Sequence, residues 1–115
     1  QAINHFSPGV YAREYHMHPG MRIAGMRHKQ EHINIVSCGR ATVYTEEGVT
    51  EVVGPCTFIG SAGTQRFLHI HEYMIWTTVH RTDAHDEESA LADLAIDESD
   101  LIATRIRLLE AAKCQ

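Results

Sequence analysis

Histidine is the residue type that most suggests chemistry in this sequence. Nine histidines occur in 115 residues. Two of them, His28 and His32, stand four apart in the stretch Arg27-His28-Lys29-Gln30-Glu31-His32-Ile33-Asn34-Ile35-Val36-Ser37-Cys38-Gly39. Imidazole titrates near neutrality and ligates metals through either ring nitrogen. On a strand, successive side chains alternate between faces, so Met26, His28, His32, Asn34, Val36 and Cys38 share one face. Ile33 and Ile35 take the other, and apolar residues on both sides predict a strand covered on both faces. Four strand positions span roughly 13 Å at about 3.3 Å per residue, so His28 and His32 can act together only across a bend or bulge. The alternative is two core histidines, each satisfied by a backbone carbonyl or by Glu31.

Other candidates lie toward the end of the β-rich region. His80 shares parity with Met74, Trp76 and Thr78. If that face is interior, Trp76 lines a pocket and His80 sits at its rim; otherwise Trp76 is a core residue. Gln65 and His69 would be polar groups facing a cavity, and such groups need partners or water. His71-Glu72 reads as a solvated turn, and His16 and His18 as surface histidines. Cys38 and Cys56 lack an activating neighbour and read as inert thiols. No phosphate-binding glycine loop, HExxH helix or GxSxG elbow is present.

Short strands must position these groups. Val10–Tyr15 alternates between Pro8-Gly9 and Pro19-Gly20, and Met21–Met26 reads as a second strand. The strand from His28 is predicted to turn at Cys38-Gly39-Arg40. Ala41–Thr45 and Val49–Val53 then form a hairpin about Glu46-Glu47-Gly48. Cys56–Ile59, Gln65–Ile70 and Tyr73–His80 follow, the last two joined at His71-Glu72. Many short strands with Gly/Pro turns predict an antiparallel sandwich or barrel over residues 1–85. A helical tail is predicted over 86–115. Leu91, Leu94 and Ala95 give one apolar stripe and Leu101, Ile102, Ile106 and Leu109 another, with Asp97 capping the second helix.

Composition excludes several classes. Net charge is −5. Residues 1–82 are near neutral and the tail is acidic, so the basic footprint of a nucleic-acid binder is absent. No stretch approaches the roughly 20 apolar residues of a membrane span. No signal-peptide pattern is visible, and three cysteines without CxxC spacing suit free thiols in a reducing compartment. A cytoplasmic protein is expected.

The arrangement resembles the cupin superfamily over about residues 10–81. The first cupin motif is His-x-His, an acidic residue about four positions on, and a glycine about seven later. Met26-Arg27-His28, His32 and Gly39 occupy these positions. In the second motif Gly54 is the opening glycine and Ser61-Ala62-Gly63 replaces Pro-x-Gly. Gln65 takes the histidine position and His69 the asparagine position. The resemblance implies a mainly β, cupin-like antiparallel sandwich or jelly-roll barrel with a C-terminal helical segment. It also implies a metal centre of three histidines and a glutamate. Only His28 keeps a ligand's usual identity, and Met26 is a poor ligand for a hard divalent ion. The expected ligands are therefore His28, His32, Gln65 and His80, around Fe, Mn, Ni or Zn. Met26, Asn34, His69 and Trp76 are expected to line the pocket. The chain is also similar to short cupin-like proteins encoded by tailed phages, which share its Trp-Thr-Thr-x-His strand end.

The expected function is small-molecule binding in a histidine-lined pocket, through a divalent metal or by the imidazoles alone. Its competitor is a non-catalytic phage-encoded protein, either a ligand-sequestering module or a structural subunit that contacts virion proteins. A homodimer or larger homo-oligomer is expected from the two-faced apolar strand and the helical stripe.

Overall fold

The structure, a computed structural model, describes residues 2–95. Within them seven antiparallel strands precede one helix. These are β1 (Ala2–Ser7), β2 (Val10–Met17), β3 (Arg22–Ala24), β4 (His32–Thr45), β5 (Gly48–Val53), β6 (Cys56–Gly60), β7 (Phe67–Arg81) and α1 (Glu87–Leu94). The strand order is β1-β2-β7-β4-β5, with β3 paired to β7 and β6 to β4.

Two long strands, β4 and β7, are the spine. Each has two halves with different outer neighbours. His32–Val36 of β4 pairs with β6, and Arg40–Thr45 with β5. Phe67–His69 of β7 pairs with β3, and Met74–Arg81 with β2. Between the halves the β4–β7 register shifts at Val36/Cys38, Cys38/Arg40 and Arg40/Ala41. Such irregularities bend a strand without ending it, and here they fold the sheet into the jelly-roll shape expected from the sequence.

The predicted turns at Cys38-Gly39-Arg40 and His71-Glu72 are therefore bends within continuous strands. Gly39 has φ +99°, and a Cβ there would lie 2.6 Å from Met74 Cα. A glycine supplies both the positive φ and the close approach that the bend needs. Glycine, charge and histidine in a short run look like a turn in sequence, but here they mark paired irregularities. Sequence periodicity also missed β1, whose side chains are mostly exposed and carry no buried stripe.

The interior face is apolar. Met17, Val36, Ala41, Val43, Leu68, Ile70, Met74 and Trp76 form one buried cluster. Tyr11, Ala90 and Leu94 form another, joining α1 to β2, and Phe6 stacks on Tyr11 at 4.5 Å. Asp86 caps α1 by accepting from the Ser89 N–H, as a helix-opening aspartate does. The first part of the predicted helical tail thus packs on its own barrel. The second predicted helix, its cap Asp97 and its stripe lie outside the described residues, as does Cys114.

The outer face of β4 is open. Ile33 and Ile35 are 41% and 38% exposed, so among the described residues the side opposite the histidines is only partly covered in the first half of the strand. The apolar outer positions belong to an antiparallel sheet with one face wet, not to a strand buried on both sides.

Candidate functional site

His32 opens β4 and points inward, with Asn34 and Val36 after it on the same face; all three are buried. His28 lies before the strand, in the segment that links β3 to β4. That segment is tied down by backbone bonds on both sides. Lys29 N–H donates to the Leu94 carbonyl at 2.8 Å, and Gly63 N–H donates to the His28 carbonyl at 2.8 Å. His28 also bridges Ala95, just beyond α1. The end of α1 and the loop before β7 thus fold the His28 segment back over the strand it precedes.

The result is a three-ring cluster. The His28 and His32 ring centroids are 4.2 Å apart, His28 and His80 4.7 Å, and His32 and His80 5.0 Å. His80 stacks on both other rings, with interplanar angles of 28° and 29°. It is anchored through Nε2 and the Thr78 hydroxyl at 2.8 Å. His32 Nδ1 meets the Gln30 carbonyl at 3.2 Å. His28 Nδ1 and His32 Nε2 are buried and have no hydrogen-bond partner among the described residues.

Burial holds all three imidazoles neutral at ordinary pH. Desolvation, reinforced by His32 and His80, pushes the pKa of His28 down to about 3. His80 falls to about 4, again mainly through burial, then through His32 and Arg13. His32 is lowered by burial and by Arg66, against the raising effect of its bond to Gln30. The pattern follows from taking a cation out of water beside other potential cations.

His28 and His32 stand on the wall of a half-open cavity of about 190 Å³. Arg13, Tyr15 and Met17 of β2 form one side, with Ile23, Ala24, Gly25 and Met26 at and after β3. Asn34 of β4 and Arg66, Leu68, Trp76 and Thr78 on and before β7 complete it. The Trp76 indole N–H donates to Asn34 Oδ1 at 2.9 Å, deep in the wall. Arg13 is fully engaged. It donates to the Tyr11 hydroxyl at 3.1 Å and to the Tyr15 hydroxyl, and lies 3.4 Å from the Glu87 carboxylate.

The predicted residues thus divide. Met26, His28, His32, Asn34 and Trp76 line the cavity. His80 joins the histidine cluster behind it. Gln65 is buried but spends its amide N–H groups on the Gly25 and Arg66 carbonyls, outside the lining. His69 stands apart, beside His71 at 4.6 Å. Arg13 and Arg66 went unnoticed in the sequence. Arg13 could have been found, since it alternates with Tyr11 and Tyr15 on an inward-facing strand. Arg66 follows no pattern and becomes a lining residue only through the loop that leads into β7.

The donor set does not fit the metal centre that the cupin motifs imply. Among the described residues no group of three or more His, Cys, Asp or Glu is placed to hold a metal ion. The imidazoles stack on one another, His32 Nε2 is turned toward Gly60, and the charged side chains beside them are arginines.

Comparison with known proteins places the fold. No protein-family model and no curated protein matches the sequence. Solved structures match well in shape. Protein NMB1881 of Neisseria meningitidis superposes with a TM-score of 0.59 at 7% identity, covering 71% of this chain and 84% of that one. A cupin-2 domain-containing protein of Shewanella frigidimarina gives 0.58 at 6% identity, covering 71% and 80%. Salicylate 1,2-dioxygenase of Pseudaminobacter salicylatoxidans gives 0.64 at 13% identity, and there this chain's match spans 81% of its own length but 28% of the dioxygenase. The chain has the cupin fold. At such identities the likeness concerns architecture alone. Among the described residues no helix is long and apolar enough to cross a membrane.

Proposed function

We propose that this protein binds a small organic molecule in the cavity between β2, β3, β4 and β7, with His28 and His32 as neutral hydrogen-bonding groups on its wall. The observation that carries this reading is a mainly apolar cavity of about 190 Å³ whose wall carries two neutral imidazoles, His28 and His32, each with a ring nitrogen that has no hydrogen-bond partner among the described residues. A buried polar atom without a partner costs free energy, and a ligand or an ordered water can recover it.

Binding is favoured over acid–base catalysis by the same chemistry. A general base works best with a pKa near the operating pH. His28, at about 3, and His80, at about 4, accept protons weakly at neutrality. They suit accepting a hydrogen bond better than removing a proton. Among the described residues a divalent metal would find His28 and His32 on the cavity wall but no carboxylate, and two guanidinium groups nearby. The metal-dependent form of the reading is therefore the less supported one.

The test is ligand retention. Protein purified without denaturation is heated, and the released small molecules are profiled beside those from Ala24→Trp, which fills the cavity from β3. A compound released by the wild type and absent from the folded variant is expected. Identical profiles from both would count against the cavity as the binding site.

A further inference from the structure

The cavity has a charge that its apolar lining does not need. Arg66 sits on its wall, half-buried, with its guanidinium over the Phe58 ring at 5.6 Å. Among the described residues it has no carboxylate partner and no hydrogen-bond acceptor. Burial alone lowers its pKa, with no acid to offset it. Arg13, the other cation of the lining, is satisfied by Tyr11, Tyr15 and Glu87. Among the described residues no Asp or Glu lines the cavity. An unpaired guanidinium on the wall of an apolar cavity offers a fork of donors that matches a carboxylate in two parallel hydrogen bonds.

We propose that the ligand of this cavity is a small monocarboxylate with an apolar body, its carboxylate held by Arg66 and its body against Met17, Ile23, Leu68 and Trp76. This deepens the binding reading above and rests on it. One unpaired guanidinium calls for one carboxylate. A phosphate would ask for more donors than the lining offers, because Arg13 is already committed. The neutral His28 and His32 then stand beside the body of the ligand on the same wall.

The chain contains one tryptophan, and it lines the cavity, so its fluorescence reports occupancy. The probes are cyclohexanecarboxylate and its uncharged analogue cyclohexanecarboxamide, titrated at neutral pH into wild type, Arg66→Met and Arg66→Lys. Charge-assisted bonds of this kind predict that the carboxylate binds the wild type at least about tenfold more tightly than the amide. Arg66→Met should erase that preference, bringing the carboxylate's affinity down to that of the amide or below, and Arg66→Lys should restore part of it. Equal binding of both probes to the wild type overturns the carboxylate proposal and leaves the cavity reading standing. Binding of neither probe overturns both. If Arg66→Met does not fold, by far-ultraviolet circular dichroism, the wild-type comparison still decides. In that case salt dependence of the carboxylate affinity, absent for the amide, is the supporting result and its absence the overturning one.

Discussion

His28 and His32 are four residues apart, yet their ring centroids lie 4.2 Å apart. A straight strand would hold them at roughly 13 Å. The chain between them is folded back by backbone bonds to Leu94 and Gly63, and His80 closes the cluster from β7. Three imidazoles that would repel one another if charged are thus held together, and the cluster stays uncharged above mildly acidic pH.

Acid should therefore destabilise the protein earlier than its carboxylates alone would. The folded-state pKa values of His28 and His80, about 3 and about 4, lie below the ordinary 6.5. In that window the unfolded chain binds more protons, so stability is full above pH 6.5 and is lost progressively as pH falls toward 3. Each histidine contributes a slope of up to about 1.4 kcal/mol per pH unit. Urea unfolding at pH 7.0 and 5.5 should show the loss, with a shallower slope in His28→Gln. A midpoint that does not move between these pH values would contradict the neutral cluster.

Gly60 is the floor on which the site rests. A Cβ at this position would lie 2.5 Å from Asn34 Nδ2 and 2.6 Å from His32 Nε2. Gly60→Ala should displace both side chains at a cost of about 1–3 kcal/mol, the usual range for overpacking. Denaturant titration measures the cost, and the imidazole resonances of His32 should shift. An alanine variant as stable as wild type, with unshifted resonances, would mean that His32 has room to move.

Asn34 and Trp76 form a buried side-chain pair across β4 and β7. Asn34→Ala leaves the indole N–H without its acceptor and opens space beside it. The expected loss is about 1–3 kcal/mol, with a change in tryptophan emission as the indole finds water or another partner. Unchanged emission and stability would show that the bond contributes little.

Metal content separates the histidine cluster from a metal centre. Protein prepared without an affinity tag should carry Fe, Mn, Ni and Zn well below one ion per chain by elemental analysis. Near-stoichiometric metal that disappears in His28→Ala/His32→Ala would overturn this expectation and make the imidazoles ligands after all.

Sequence alone determined the class of fold. Alternating strands punctuated by Gly and Pro, with spacing like that of the cupin motifs, specify an antiparallel jelly roll, because strand parity and turn chemistry are local properties of the chain. The inward face of β4 and β7 was readable on the same ground, and so were His32, Asn34 and Trp76 as its polar and aromatic members. Tertiary structure decided what that face encloses. That β4 and β7 bend rather than break depends on register between strands far apart in sequence. So does the meeting of His80 with the other two rings. Arg66 was invisible because its significance lies in what it lacks among the described residues, an acidic partner, and that is readable only once the neighbouring side chains are placed.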